Sequence, residues 1–438
     1  MRSIYTLLVA ALAFIALTAD PAEARSRWLR AETPNFIIYG EVGERDIREA
    51  ARLLEQFDAS LRSITRLPTT PSQTKLQVYL VDSRARLREV SPGLDDWVAG
   101  FYTARPELIA AFAIYDARGF DGREILLHEY AHHFMSRYSP DAYPAWFVEG
   151  FAEYLQTIEF ERDRIIIGGF SEGRVADILS GSWPNSEQFL RRPDDLSDTL
   201  QRRFYAQSWV AVHYLYSEPG RMSQFQDYVD AIGSGADLVQ AFEPAFGMTP
   251  DAFQNELRDY VRRGRIARRA APLPAIDASV TITAMPEAAN DLLLPLAQMQ
   301  LENLDEADAA ALAARIEATA AAFPDEPFAQ RARLRAMILR GAYAEARAAI
   351  QPMLTAAPTD GELNYLMGKA YLEEALAENT GGQLTTTARR HFVRAFQANP
   401  NDFPTLFSYM SSYQLGDPMP DSTMDVAVRV TNLAPQVT

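Results

Sequence analysis

Apolar positions in the first part of the chain predict short strands separated by helices. Apolar runs at residues 35–39, 76–81 and 108–115 have the length and composition of strands. Residues 45–65 carry apolar side chains at the spacing of an amphipathic helix, and a shorter helix is predicted after residue 81. This order predicts an α+β fold built on a small mixed sheet.

The rest of the chain is dominated by helical patterns. Residues 157–168 predict a small hairpin, and residues 174–267 predict a series of helices. A linker rich in proline and alanine is predicted over residues 271–287. Beyond it the chain becomes rich in alanine and predicts an all-α region.

Prolines recur at intervals in this all-α region. They are Pro324, Pro358, Pro400 and Pro435, at spacings of 34, 42 and 35 residues. A period near 34 resembles the tetratricopeptide repeat, a pair of helices that stacks into an array with a concave surface. Residues in matching positions are Gly341, Tyr343, Ala346 and Ile350 before Pro358, and Gly368, Tyr371, Ala388, Phe392 and Ala395 before Pro400. The resemblance implies a surface for peptides or a protein partner; a helical domain that only supports the rest of the chain is the alternative.

Composition and charge exclude some classes of function. The chain has 438 residues, a formal net charge of −16 and no cysteine. This excess of negative charge disfavours nucleic acid as a partner, because phosphates would be repelled. Without cysteine the chain has neither disulfides nor a cysteine-linked lipid.

The first 24 residues predict a secretory signal peptide. Arg2 precedes an apolar stretch at residues 4–17, and residues 22–24 fit an A-x-A cleavage site. We therefore expect an exported protein, periplasmic or secreted; an uncleaved N-terminal membrane anchor is the alternative. Later apolar segments are all shorter than a membrane span, so none is expected in the mature chain.

These patterns divide the chain into five parts. They are the signal peptide (1–24), an N-terminal α+β subdomain (25–175), a helical subdomain (176–270), the linker (271–287) and the helical repeats (288–438). The second and third parts carry the residues with candidate chemistry.

An H-E-x-x-H motif occupies residues 128–132. On a helix, side chains four residues apart project from one face, so His128 and His132 can bind one metal ion. Glu129 lies about 100° around the helix, where it flanks the metal and suits a general base acting on water.

Two neighbouring helices are predicted around this motif. A D-x-x-E capping box at residues 121–124 begins the first, and Pro140 follows its end. Pro144 fits the first turn of the second helix, which carries Glu149 and Glu153 on one face. Helices joined by a short loop pack antiparallel, so Glu149 can return toward the histidines as a third metal ligand.

This H-E-x-x-H motif, with the W-x-x-E-G-x-A-E-Y motif that contains Glu149, resembles the gluzincin metallopeptidases and, within them, the bacterial peptidase MA-like branch. The resemblance implies one Zn²⁺ per chain, bound by His128, His132 and Glu149. It also implies that Glu129 is the catalytic base. Sixteen residues separate His132 from Glu149, which favours the smaller MA-like branch. Glu153 would orient a ligand histidine, or serve as the ligand if Glu149 is out of reach.

The resemblance also implies positions for substrate binding. Many gluzincins supply a tyrosine or histidine that stabilises the developing oxyanion, and Tyr205 is the candidate; an aromatic core residue is the alternative. In this family the edge strand before the metal helix binds the substrate backbone, which would assign residues 108–114. Their lack of polar alternation instead favours a buried central strand. Residues 100–102 are expected in a loop before that strand.

Histidine is rare in this chain. Three of the five histidines lie at residues 128–133, unlike scattered core histidines. His133 falls off the predicted ligand face, so we expect a structural role. His213 and His391 are expected in the core or at the surface, without chemistry.

Three functions fit these observations. The first is an exported zinc metallopeptidase acting on a peptide or protein substrate, with the repeats binding substrate or a partner. The second is an adaptor whose zinc domain is weak or inactive, although the intact Glu129 argues against it. The third is a zinc hydrolase acting on a non-peptide amide. The sequence has no G-x-M-E-N element of the related aminopeptidases, which favours an endopeptidase or the processing of one dedicated partner.

Overall fold

The computed structural model of the protein describes residues 28–115, 122–139, 142–180, 182–264, 266–277 and 279–437. The signal peptide predicted over residues 1–24 lies outside these ranges, as do Asp121 and Pro140, which are predicted near the ends of the H-E-x-x-H helix. Among the described residues, no helix is both long enough and apolar enough to cross a membrane.

A six-stranded mixed sheet forms the centre of the N-terminal half. Its strands are β1 (Leu29–Glu32), β2 (Phe36–Gly40), β3 (Leu76–Val81), β4 (Gly100–Ala104), β5 (Ile109–Ile114) and β9 (Thr281–Ala284), in the spatial order β4-β5-β3-β2-β1-β9. Strands β2, β3 and β5 run parallel, whereas β4, β1 and β9 are each antiparallel to the strand they join. The three strands predicted from apolar runs are therefore confirmed.

Strand β4 corrects two predictions. The sequence predicts a loop at residues 100–102, but these residues belong to β4, which forms one edge of the sheet. The resemblance assigns the edge to residues 108–114, but β5 pairs with β3 on one side and with β4 on the other. Every residue of β5 is buried, in agreement with its uniformly apolar sequence.

Helices cover both faces of this sheet. The helices of the N-terminal half are α1 (Glu44–Thr65), α2 (Arg84–Val90), α3 (Gly122–Tyr138), α4 (Ala145–Leu155), α5 (Glu172–Leu179), α6 (Ser186–Arg191), α7 (Asp198–Ser217), α8 (Pro219–Gly233), α9 (Phe242–Phe246) and α10 (Pro250–Arg262). Side chains alternate across a strand, so Val78 and Ala111 pack toward α1 and α3. Their neighbours Tyr79 and Phe112 pack on the opposite face, against α2 and the C-terminal helices.

A second, smaller sheet borders the helical subdomain. Its strands are β6 (Glu159–Phe160), β7 (Arg164–Ile167) and β8 (Arg269–Pro272), in that order. Strands β6 and β7 confirm the predicted hairpin. The segment predicted as a linker, residues 271–287, contains the end of β8 and all of β9. Strand β9 pairs with β1 and so ties this segment to the main sheet.

The C-terminal region is all-α, as predicted. Its helices are α11 (Ala289–Leu301), α12 (Glu306–Ala320), α13 (Pro327–Leu339), α14 (Tyr343–Ala356), α15 (Gly361–Ala377), α16 (Gln383–Ala398), α17 (Phe403–Ser411) and α18 (Ser422–Leu433), followed by a 3₁₀ turn at Pro435–Val437. Each helix contacts the next along the chain. Helix α11 packs on the sheet, and Arg137 of α3 donates a 2.8 Å hydrogen bond to the carbonyl oxygen of Leu433. The C-terminal helices therefore pack directly on the α+β part.

Candidate metal centre

Helices α3 and α4 bring two histidines and one glutamate together. His128 and His132 lie one turn apart on α3, with their Nε2 atoms 3.0 Å from each other. Oε2 of Glu149, on α4, lies 3.5 Å from Nε2 of His128 and 3.4 Å from Nε2 of His132. Because the three candidate ligand atoms all lie within 4.8 Å of one another, this group could hold a metal ion.

The carboxylate of Glu149 provides a test of whether a cation fits here. Its Oε2 atom is buried and has no hydrogen-bond partner. Burial alone would raise the pKa of Glu149, but His132 and His128 hold it well below its usual range. A buried anionic oxygen without a donor is costly, and a cation between the three ligand atoms would satisfy it.

A series of hydrogen-bonded polar side chains begins at Nδ1 of His128 and orients its ring. Nδ1 of His128 lies 2.9 Å from Oε1 of Gln156, and Gln156 donates a 3.0 Å hydrogen bond to Glu153. Arg174 donates to both oxygens of Glu153, at 2.6 and 3.1 Å. Because the amide oxygen of Gln156 accepts, Nδ1 carries the proton and the Nε2 lone pair faces the other ligands. Glu153 is 4.0 Å from Nδ1 of His128, so it acts on this ring through Gln156.

Glu129 is buried beside the edge strand β4. Its carboxylate accepts a hydrogen bond from the backbone N–H of Tyr102. A Cβ atom added to Gly100 would lie only 3.0 Å from Oε1 of Glu129, so the strand passes close to this carboxylate. Burial raises the pKa of Glu129 to about 8; the charge of Glu149 adds to this effect, while His132 and the Tyr102 N–H oppose it. This carboxyl group can therefore exchange a proton near neutral pH.

Tyr205 and Arg192 border the same group. The ring of Tyr205 lies 6.4 Å from the ring of His128, and burial raises the pKa of its phenol. Arg192 donates hydrogen bonds of 3.1 Å to Oε1 of Glu149 and 3.1 Å to the hydroxyl oxygen of Tyr205. The Tyr205 hydroxyl therefore accepts from Arg192 and keeps its own hydrogen for another partner.

Arg192 holds this position in an uncommon backbone conformation. It caps the C-terminus of α6 with φ 47° and ψ 69°, in the left-handed region. Few residues other than glycine adopt this region, and the strain is of order 1–3 kcal/mol. The contacts of its guanidinium with Glu149 and Tyr205 help to offset that cost.

Close contact between α4 and α7 positions Tyr205. A Cβ atom added to Gly150 on α4 would lie 2.3 Å from the backbone oxygen of Ser208 on α7. Only glycine allows the two helices to approach this closely. Trp97 also packs on Tyr205, with ring centroids 5.9 Å apart. The segment before β4 therefore borders the metal centre.

Several of these residues carry no signal in the sequence. Arg192 is 43 residues from Glu149, and no motif connects the two. Trp97 and Tyr102 reach the site because β4 lies at the edge of the sheet beside α3. Gln156 alone has a local signal, because it lies three residues after Glu153, one helical turn away.

The other histidines lie outside the group of candidate ligands. Nδ1 of His133 is 3.3 Å from the hydroxyl of Tyr102, and burial lowers the pKa of His133 to about 3. Nδ1 of His391 lies 3.1 Å from Oδ1 of Asn364, within the C-terminal helices. His213 is buried on α7.

Comparison with known proteins identifies no relative. No protein-family model, no curated protein and no solved structure matches this chain. Its function must therefore be inferred from the chemistry and geometry of its own residues.

Proposed function

We propose that this protein is an exported zinc-dependent metallopeptidase of the gluzincin type. The observation that carries the proposal is the convergence of His128, His132 and Glu149, with the buried Oε2 of Glu149 left without a hydrogen-bond donor. Two imidazole nitrogens and one carboxylate oxygen form a ligand set of catalytic zinc sites, which keep a fourth position open. A zinc ion held there would supply Lewis acidity, which lowers the pKa of water and polarises a carbonyl group.

The neighbouring side chains would perform the proton transfers. Glu129 takes a proton from the attacking water and delivers it to the leaving amine, a role that suits its raised pKa. The hydroxyl of Tyr205 donates a hydrogen bond to the oxyanion that develops on the substrate carbonyl. Gln156 holds the ring of His128 in the orientation that points Nε2 at the centre.

The free edge of β4 would bind the substrate backbone. At the two ends of the β4–β5 pair, Ala99 is hydrogen-bonded to Ile114 and Arg105 is hydrogen-bonded to Leu108. Hydrogen-bonded residues alternate along an antiparallel pair, so the backbone groups of residues 100, 102 and 104 face the free edge. An extended peptide can add to such an edge as another strand. The Tyr102 N–H on this edge bonds to Glu129, so a peptide bound there would pass the catalytic base.

The C-terminal helices would act as tetratricopeptide-like repeats that bind substrate or a partner. Two positions singled out by the sequence support this assignment. Gly341 has φ +80° in the turn between α13 and α14, and a Cβ atom on Gly368 would lie 2.5 Å from the ring of Phe392. Such turns and close helix contacts are typical of stacked helical pairs.

Metal analysis of the purified mature protein tests the zinc site. One zinc per chain is expected by mass spectrometry, and Glu149→Ala should lose it. Glu243→Ala changes an exposed glutamate on α9 and should retain the zinc. Wild-type protein that takes up no metal when zinc is offered would overturn the proposal.

A second variant tests the chemistry. Glu129→Gln should keep the zinc and lower hydrolysis of an unstructured protein such as casein by about 10²–10⁴-fold, because the general base is removed. Unchanged hydrolysis would contradict the role of Glu129. A wild-type protein that binds zinc but hydrolyses no peptide bond would favour the adaptor function instead.

A further inference from the structure

A groove of about 810 Å³ lies between the sheet and the C-terminal helices. It is lined by the turn between β4 and β5, the end of α11, and residues of α13, α15 and α17. The candidate zinc ligands His128, His132 and Glu149 are not among its lining residues. The groove is therefore a second site, distinct from the metal centre.

Ion pairs hold the walls of the groove in place. Nζ of Lys369 on α15 lies 2.5 Å from Glu373 on the same helix and 3.8 Å from Glu107 in the β4–β5 turn. Arg335 on α13 lies 3.0 Å from Glu362 on α15. Lys369 and Arg335 are thus neutralised by carboxylates of the walls, and the pair with Glu107 ties the turn to the helices. The third basic residue of the groove, Arg105, forms no ion pair with another described residue.

Two carboxylates of the groove remain without a cation. Five acidic and three basic residues line it, which leaves a formal excess of two negative charges. In the part of the chain that the structure describes, Glu302 and Asp402 form no ion pair. Oδ2 of Asp402 accepts a 3.2 Å hydrogen bond from the N–H of Thr405, and burial raises its pKa. A cationic ligand in the groove would offset the excess of negative charge on its walls.

The shape and lining of the groove fit a polypeptide. Its volume lies within the range of ligand-binding pockets, and apolar side chains such as Leu301, Ile338 and Leu366 lie between the charged ones. Polyanions would be repelled by the excess of carboxylates. An extended chain with a lysine or arginine side chain satisfies both the apolar and the acidic surfaces.

Strand β4 connects the groove to the metal centre. It begins at Gly100, beside Glu129, and the residues after its last one, Arg105 to Glu107, line the groove. At about 3.3 Å per residue, five residues of strand span roughly 17 Å. A peptide that continues beyond the free edge of β4 would therefore reach the groove.

We propose that this groove binds an extended polypeptide segment whose lysine or arginine side chain lies against Glu302 and Asp402. When the same chain lies along β4, that side chain is about five to seven residues from the bond at the metal centre. Docking needs only the groove, whereas this spacing rests on the proposed peptidase function.

Peptide selection tests the docking site without requiring catalysis. A random dodecapeptide display library is selected on full-length Glu129→Gln protein, and in parallel on the same protein carrying Glu302→Gln and Asp402→Asn. The first selection should enrich lysine or arginine at one position at least threefold, and the second should not. Asparagine still caps α17, so the amide variants should fold, which equal melting temperatures would verify.

Glu243→Gln, added to Glu129→Gln, serves as the matched control because it removes one exposed carboxylate outside the groove. It should preserve the enrichment of basic residues. Selected peptides without basic enrichment would overturn the docking proposal. An identical enrichment on the variant with both groove carboxylates neutralised would overturn it as well.

Cleavage of selected sequences tests the spacing from the metal centre. Quenched fluorescent peptides of twelve residues should have a kcat/KM about tenfold above six-residue versions that lack the basic residue, and Asp402→Asn should bring this ratio close to one. A ratio near one in the wild-type protein would overturn the link between groove and metal centre. Basic enrichment without cleavage of either peptide would overturn the peptidase function alone and leave the docking site standing.

Discussion

Arg192 and Glu149 share a 3.1 Å hydrogen bond at Oε1, while Oε2 of the same carboxylate faces the two histidines. The two oxygens of Glu149 are thus divided between a guanidinium and the candidate metal position. Because Arg192 occupies Oε1, Glu149 can present only one oxygen to a metal ion. Arg192 therefore orients a candidate metal ligand without belonging to the group of candidate ligands itself.

Arg192→Met should lower the affinity for zinc about tenfold, because an outer partner that orients a metal ligand typically contributes 10–100-fold. Competition between the protein and a fluorescent zinc chelator measures this change. Arg191→Met is the matched control: Arg191 is the adjacent residue, but it pairs with Asp237 and Glu187 instead of Glu149. Equal zinc affinities of the two variants would contradict the orienting role.

Tyr205→Phe distinguishes a catalytic phenol from an aromatic core residue. The ring and its packing on Trp97 are retained, while the donor to the oxyanion is removed. A loss of about 10²-fold in kcat is expected, with zinc content unchanged and KM little affected. Tyr214→Phe removes another hydroxyl from α7 and should leave the kinetics of casein hydrolysis as in the wild type. A kcat for Tyr205→Phe equal to that of the wild type would assign Tyr205 to the core.

Gly150→Ala should destabilise the protein by about 1–3 kcal/mol, because the added methyl group forces α4 and α7 apart. Its Cβ would lie 2.3 Å from the backbone oxygen of Ser208, which cannot move aside as a flexible side chain could. Gly220→Ala on α8 provides the control, because a Cβ there meets no atom within 4 Å. Urea unfolding compares the two variants. If the free energies of unfolding of Gly150→Ala and the control differ by less than about 0.5 kcal/mol, the added methyl group does not overpack the contact between α4 and α7.

The candidate ligands could be predicted because their arrangement is local. The four-residue spacing of His128 and His132 and the short loop before Glu149 determine which faces of two helices meet. Arg192 could not be predicted, because it depends on a left-handed residue at the end of α6 and on the packing of α6 near α4. Interactions across such distances leave no periodic trace in a single sequence.

The fold follows the same division between local and distant interactions. Strands β2, β3 and β5 are largely buried and consist mostly of apolar residues, so they could be predicted. Strand β4 is only partly buried along its whole length, and its mixture of polar and apolar residues gives no clear strand pattern, so it could not be predicted. Strand β9 lies in a segment whose proline and alanine content predicts a linker. It forms by pairing with β1, which is far away in the sequence, near the start of the N-terminal half.

His213 makes the stability of the fold depend on pH. Its ring is buried, with Nδ1 2.7 Å from the hydroxyl of Tyr260, and burial lowers its pKa to about 4. The pKa of histidine in an unfolded chain is about 6.5. Between these values the unfolded chain binds a proton that the folded protein does not, so stability falls as pH drops from about 6.5 to about 4. Below that range both states are protonated and this contribution stays constant.

His213→Gln should therefore reduce the acid sensitivity of the fold. Between pH 7.5 and pH 4.5, the free energy of unfolding of the wild type should fall by about 2 kcal/mol more than that of the variant. Urea titrations at both pH values measure this difference. Other buried groups such as His133 titrate in both proteins, so their effects cancel in the comparison. Equal losses in the two proteins would mean that His213 takes up its proton without unfolding, which its burial at 2% exposure opposes.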